Sequence, residues 1–536
     1  MAAAPSRLEA GPRRLVVLAA AVLVAVALVV VLVNACGGGS DDAPAPDRAA
    51  RVLPAATLVA VDLSTDRGRA AVGRATRLLG RFPSYGPLRT RLLRRLAGRA
   101  GVSYDRDIDP WLGNEAALGL LDSATGTAGS LLALAVEDQG KAQAFLRKTA
   151  GAPADAPYRG VRIETYGAAA AAFVDGFLVL GTGPDVKSAI DAAASRSKSL
   201  AADPAYRSAV GGLPADRVAT VYASASGVRR LLAPQGGLLG LAGALVDRPG
   251  LQSAGVAFVP QDGGADITAR SVVNAALAGG RTASNFTPTL ASQVPADALL
   301  FADATGIDRT ATRLLGLATA GGLPGGTITS LLARVSQQLG LVGSARVAAT
   351  LLPIARGEVA VWLTPTEPAT TLTLLAKVPD EAATRQALRE LQAPLAKLLV
   401  PRGSGAAQAA FRPVTVAGVR ASALQLGPGV RIVYAVFDGQ LVVSTSPQGI
   451  RAVKDRSDSL ADTEAFRGAT AGLPSKVTAL GFLDFTRLLQ LGEQTGLRDN
   501  QRYLAIREDL RKVRAVGVAT QAGANVSTAE FHVQIP

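Results

Sequence analysis

The 536-residue chain contains one cysteine, one histidine and one methionine, and aromatic residues make up only 4% of it. A single cysteine excludes a disulfide framework, and with one histidine it excludes multi-Cys/His zinc sites and iron–sulfur clusters. Ser–His or Cys–His catalysis would have to use His532, four residues from the C-terminus in an alternating strand pattern. No GxSxG elbow and no GxxxxGK[ST] phosphate loop occurs. Charged residues are also few, at 18% against 49% apolar, which excludes a disordered composition and leaves material for large cores. The sequence therefore offers no catalytic residue, no cofactor-binding residue and no metal ligand set.

The N-terminus carries a different signal. Arg7, Arg13 and Arg14 precede Leu15–Val33, 19 apolar residues without a charge. That length spans a hydrocarbon core, and basic residues on its N-terminal side predict an N-inside, C-outside orientation. Cys36 follows directly, then a Gly/Ser/Asp tract. Residues 1–36 thus read as a signal or transmembrane segment with a lipobox-like end. Two anchors stay open: lipidation at Cys36, with Asn34 an unusual residue inside the motif, or an uncleaved membrane helix. Either places the bulk of the chain outside the cytoplasmic membrane. Residues 37–52 read as a flexible linker.

An internal repeat organises the remainder. Ser199–Pro214, SLAADPAYRSAVGGLP, matches Ser459–Pro474, SLADTEAFRGATAGLP, at nine of sixteen positions. Leu53–Asp62 aligns with Val294–Asp303, Glu115 with Glu358, Asp175-Gly176 with Asp438-Gly439, and SAGVAFV (253–259) with RAVGVAT (514–520). The spacing predicts two tandem homologous domains at 53–280 and 294–536. Asp-Gly between apolar runs predicts a tight hairpin in each. Strands joined by short turns, with helices grouped between them, predict an α+β fold: a mainly antiparallel sheet with helices packed against it.

The opening Pro-Ala-Asp-x-Leu-Leu, the run Pro110-Trp111-Leu112-Gly113-Asn114-Glu115, the Asp-Gly hairpin and the SLA…AYR…LP segment resemble a bacterial cell-envelope, lipoprotein-like family catalogued only as a domain of unknown function. The resemblance covers most of 53–536. The second copy departs from it, with Ile354-Ala355-Arg356-Gly357 in place of Trp-Leu-Gly. The family implies secretion or anchoring and supplies no activity and no catalytic residues.

Three stretches invite chemistry and read better as structure. Gly181-Thr182-Gly183-Pro184 lacks the third glycine of a dinucleotide motif, and a Thr cap followed by Pro reads as a helix start. Asp105, Asp107 and Asp109 alternate, yet Pro110 and Ala116 stand where a calcium loop needs Gly and Glu. Glu115 and Glu358 are matched acids beside strands, while acid–base hydrolysis needs two carboxylates on one substrate.

The most unusual feature is a window of ten arginines without an acid: Arg67, Arg69, Arg74, Arg77, Arg81, Arg89, Arg91, Arg94, Arg95 and Arg99. Helical spacing of Val72, Ala75 and Leu79, and of Leu88, Leu92 and Leu96, predicts two amphipathic helices. These arginines are candidates for contact with anionic lipid or wall polymer. With only Phe82 and Tyr85 available for stacking, nucleic acid is not an expected partner. The expected function is a membrane-anchored, non-enzymatic binding or scaffolding protein of the cell envelope. The alternatives are a carrier of a lipid or other apolar molecule, or an enzyme without a recognisable motif.

Overall fold

The computed structural model describes residues 47–97, 103–122, 129–195, 198–232, 250–274, 276, 284–306, 353–354, 356–366, 370–399, 410–427, 430–455 and 458–536. Cys36 and the apolar run Leu15–Val33 lie outside these residues. Among the described residues no helix is long and apolar enough to cross a membrane. Contacts divide the chain into two units, the first ending near Leu277 and the second containing nearly all that follows.

The first unit contains β1 (Thr57–Ser64), β2 (Leu112–Leu121), β3 (Gly129–Val136), β4 (Ala154–Tyr158) and β5 (Val161–Tyr166). It continues with β6 (Ala169–Val174), β7 (Phe177–Gly181), β8 (Ala219–Ser224), β9 (Leu251–Gln261) and β10 (Gly264–Val273). All pairings within it are antiparallel, in the order β10-β9-β8-β1-β2-β3-β7-β6-β5-β4. The fold is α+β, as expected.

The second unit contains β11 (Leu300–Thr305), β12 (Glu358–Thr364), β13 (Thr371–Lys377), β14 (Arg412–Val416) and β15 (Val419–Gly427). Then come β16 (Val430–Phe437), β17 (Gln440–Ser444), β18 (Ala479–Asp484), β19 (Ala515–Ala522) and β20 (Val526–Gln534). Its order is β20-β19-β18-β11-β12-β13-β17-β16-β15-β14, again antiparallel throughout. Strand for strand, the order is that of the first unit.

Local chemistry explains the shared elements. At both Asp-Gly turns the two central residues have positive φ, 48° and 80° at Asp175-Gly176 and 51° and 70° at Asp438-Gly439, as a primed hairpin turn requires. Two further turns of this kind, Arg159-Gly160 and Ala417-Gly418, join β4 to β5 and β14 to β15. Thr182 and Asp185 form a capping box on the helix Gly183–Ala194, with Pro184 in its first turn. The motif is a helix start.

The SLA segment positions a short helix on the sheet in each unit. Leu200 N–H donates to the Leu53 carbonyl at 2.7 Å, and Leu460 N–H to the Val294 carbonyl at 2.7 Å. The helices that follow, Pro204–Val210 and Glu464–Thr470, press onto β9 and β19 at Gly255 and Gly517. A Cβ at Gly255 would meet the Ala209 carbonyl, and one at Gly517 the Ala469 carbonyl. Glycine is needed there for close approach rather than for backbone freedom.

Each unit has a packed core. In the first, Trp111 is buried against Phe145 at a ring distance of 5.5 Å and donates Nε1–H to the Asp107 carbonyl at 2.7 Å. In the second, Phe301, Trp362, Phe466 and Phe482 share one cluster with Leu290 and Val294. One boundary needs correction. Within residues 47–52, expected in the flexible linker, Ala49–Arg51 forms a 3-10 turn and Ala49, Ala50 and Val52 are buried, while Asp47, Arg48 and Arg51 stay exposed. The reason is a buried acid beneath them.

Candidate functional site: a buried carboxyl pair in each unit

On β1, Asp62 faces Ala117 of β2, and Glu115 lies two residues before Ala117. Side chains alternate along a strand, so Glu115 shares Asp62's face as its diagonal neighbour. The two carboxyl groups hydrogen-bond each other. Register makes the same pair in the second unit, where Asp303 faces Ala360 and Glu358 lies two residues before it.

The glutamates reach for the segment that leads into each first strand. Glu115, fully buried, accepts the N–H of Ala49 at 2.7 Å and of Arg48 at 3.2 Å. It thereby satisfies two donors at the start of the 3-10 turn, of which the Ala49 N–H is buried and the Arg48 N–H partly so. Asp47 accepts from Tyr206 Oη at 2.7 Å, and the Arg48 guanidinium sits 5.4 Å from the Phe177 ring centre. In the second unit Glu358 accepts from Thr289 N–H and Oγ1–H, and from Lys377 Nζ at 2.6 Å.

Proton affinities follow from these surroundings. Burial holds Asp62 well above the usual carboxylate range, and the Glu115 and Asp47 charges push the same way, with Arg217 opposing. Burial raises Glu115 too, although its hydrogen bonds from Asp62, Ala49 and Arg48 favour the charged form. Of the two, Asp62 is the more favourable site for a proton, since more of what surrounds Glu115 favours its charged form. Asp303 is pushed up to about 8 by burial and by the neighbouring Glu358 carboxylate. Neither of its oxygens has a hydrogen-bond donor in good geometry. Burial pushes Glu358 up, but bonds from Lys377 and Thr289 outweigh it and leave it below its ordinary value.

A protonated acid beside a carboxylate could in principle serve acid–base chemistry. Here the lead-in segment covers each glutamate, which spends its oxygens on that segment. Two clefts of the second unit lie elsewhere. One of about 20 Å3 is bordered by Val294, Pro295 and Ser459. A broader one of about 370 Å3 is lined by charges already paired, Arg514 with Glu464 at 3.1 Å and Arg487 with Asp484 at 3.4 Å. The arrangement suits a clamp. Sequence reading aligns all four acids but does not pair them, because pairing requires strand register. The available signal is an aspartate at the same place in two otherwise apolar strands.

The arginine window divides in two. Arg67 pairs with Asp109, Arg77 with Asp262 at 3.2 Å, and Arg74 donates to the Pro260 carbonyl at 3.0 Å. Arg69 corrects the surface expectation outright: it is 2% exposed and donates to the Arg217 carbonyl at 3.1 Å. It is held inside the first unit because two main-chain carbonyls, of Ala215 and Arg217, need donors there. Arg81 closes the helix Ala70–Gly80, and Arg89, Arg91, Arg94 and Arg95 belong to the helix Tyr85–Ala97. Both helices occur where the spacing predicts them. Arg91 is exposed; the side chains of Arg94 and Arg95, and all of Arg99, lie outside the described residues. Two acids of the Asp105–Asp109 run are engaged too, Asp107 with Lys148 at 2.6 Å and with the Ser103 N–H, and Asp109 with Arg67.

Among solved structures, three crystal forms of TP0453 resemble parts of the chain. Form IV shares 10% identity over 41% of this chain and 79% of its own, with a TM-score of 0.23. Form III shares 9% over 42% and 79%, with a TM-score of 0.23, and form I shares 9% over 43% and 80%, with a TM-score of 0.24. No curated protein matches. A family model spans nearly the whole sequence, residues 16–535, and the chain belongs to that family, described as "Protein of unknown function (DUF3352)".

Proposed function

We propose that this chain is a membrane-anchored extracytoplasmic protein, built from two tandem homologous α+β domains, that binds or scaffolds in the cell envelope rather than catalysing a reaction. The observation that carries the non-enzymatic reading is the fate of the carboxyl pairs. They are the arrangement closest to acid–base machinery among the described residues, and both are closed over by the chain's own lead-in segments. The duplication rests on the matched sequence segments together with one strand order repeated in ten positions. The anchor rests on Leu15–Val33 behind a positive head, with Cys36 as the lipidation site or the chain held by an uncleaved helix. The partner proposed for Arg81, Arg89, Arg91, Arg94, Arg95 and Arg99 is an anionic lipid or wall polymer. Arg67, Arg74 and Arg77 are engaged within the first unit.

The test is mass spectrometry of material that co-purifies with the detergent-extracted full chain. A stoichiometric envelope partner without bound lipid is the expected result. One apolar molecule per chain would replace this reading with the carrier. In parallel, Cys36→Ser should abolish acyl labelling, and an unlabelled, full-length parent would assign the anchor to the helix.

A further inference from the structure

Between β18 and β19 the second unit carries a segment whose composition the sheet does not require. Three short helical turns, Leu497–Asp499, Gln501–Leu504 and Arg507–Leu510, follow the helix Phe485–Gln494. Three arginines of this segment, Arg498, Arg507 and Arg511, gather on one carboxylate. Glu493, 8% exposed, is reached by Arg507 Nε at 2.8 Å, Arg498 at 3.1 Å and Arg511 at 3.2 Å, and Tyr503 Oη donates to it as well. Each guanidinium has five N–H donors, so three of them exceed what one carboxylate accepts. Arg498 and Arg511 are 65% and 44% exposed; Arg511 also pairs with Glu508 at 3.4 Å through its other terminal nitrogen, and both guanidiniums keep further donors facing solvent.

The same segment exposes apolar side chains. Leu504 is 41% and Ile506 48% exposed, and among the described residues only Leu300 joins them as a large exposed hydrophobic. At the matching place in the first unit, between β8 and β9, the sequence has sixteen uncharged residues, Leu231–Val246, most of them outside the described residues.

We propose that residues 497–511 form a lipid-contact site, in which Leu504 and Ile506 enter the headgroup boundary of a bilayer while Arg498 and Arg511 bind lipid phosphate. Planar guanidiniums bind phosphate through paired hydrogen bonds, and apolar tips flanked by arginine suit the interface, where one end is apolar and the other wet. Glu493 holds the arginines together before any lipid arrives, which lowers the ordering cost of binding. From Glu493 to Lys512 there are five basic and four acidic residues, so contact depends on short-range phosphate bonds and apolar burial more than on long-range attraction. The site rests on the membrane-anchored reading, since a tether keeps the segment near a bilayer.

Tryptophan fluorescence tests it, because the two native tryptophans, Trp111 and Trp362, are buried and out of a lipid quencher's reach. Full-length Ile506→Trp is reconstituted into phosphatidylcholine/phosphatidylglycerol vesicles with brominated or ordinary acyl chains. Ala524→Trp, in the exposed turn after β19, is the comparison. Bromolipid should quench the tryptophan at 506 and spare the one at 524, and Arg498→Gln with Arg511→Gln should lessen that quenching. Equal quenching at both positions, or none at 506, overturns the site. Emission at 506 that shifts with protein concentration instead of lipid assigns the patch to a second copy and equally overturns it. Carbonate washing keeps the two readings apart. A chain that stays with the vesicles while 506 is silent loses only this site. A chain that washes off loses the anchor, and added bromolipid vesicles still report the contact.

Discussion

The two carboxyl pairs have one geometry and two electrostatic settings. Asp62–Glu115 and Asp303–Glu358 occupy the same registers of the same strand pair. Around the first stand Asp47, Tyr206 and Arg217; around the second stand Thr289 and Lys377. Lys377 on β13 directly neutralises Glu358, whereas the matching position on β3, Ala135, has no charge. The pairing therefore belongs to the sheet register, and the proton affinity belongs to neighbours that differ between the units. Both glutamates hold a lead-in segment, but only Glu115 satisfies a buried backbone donor, the Ala49 N–H, whereas the Thr289 N–H held by Glu358 is exposed.

Removing the clamp should have the largest effect, and it should differ between units. Glu115→Ala leaves the Ala49 and Arg48 donors without their acceptor in a buried site and should cost about 3 kcal/mol by denaturant unfolding. Glu358→Ala should cost less, because Thr289 and Lys377 are more exposed and water can replace the carboxylate. Equal losses would break the comparison.

The pH response is next. A carboxyl whose pKa rises on folding binds its proton more tightly in the native state, so its stabilising effect is present at low pH. For Asp303 that effect is lost as pH rises from the ordinary 3.8 through about 8. At pH 9 the parent should be less stable than Asp303→Asn by a few kcal/mol, since each tenfold change in proton affinity on folding corresponds to about 1.4 kcal/mol and relaxation consumes part of it. Thermal melts of both proteins from pH 5 to 9 would show a slope in the parent that the variant lacks.

Packing gives a third, smaller contrast. Gly255→Ala and Gly517→Ala each drive a methyl into a helix carbonyl and should cost about 1–3 kcal/mol, more at Gly517 where the approach is tighter. Unchanged melting of both variants would mean the helices are not seated as described. Lys377→Met should be the mildest, about 1 kcal/mol or less, because its ammonium is half exposed and screened. It should also raise the apparent pKa of Glu358, readable by NMR titration.

Much of the fold is legible in the sequence because several elements carry their own signal. Asp-Gly marks both central hairpins, and Thr182-Gly183-Pro184 a helix start. The strands β4, β5, β14 and β15 are not legible. Ala154–Tyr158 reads ADAPY, with a proline and no apolar alternation, which suits an exposed strand at the sheet edge. The site is half legible: all four acids align, yet only register brings Asp62 to Glu115. The arginine window misleads for a related reason. Composition counts Arg69 as surface charge, while the carbonyls of Ala215 and Arg217, nearly 150 residues away, determine where it goes.

The electrostatic contrast within the carboxyl pair is tested most directly by infrared difference spectroscopy of the parent against Asp303→Asn near pH 7. A protonated carboxyl held beside Glu358 should contribute a carboxylic-acid C=O stretch that the variant lacks, and this band should titrate away near pH 8. Only carboxylate bands in the difference at pH 7 would mean that Asp303 is ionised beside Glu358, and would contradict the raised proton affinity that burial and the Glu358 carboxylate give it.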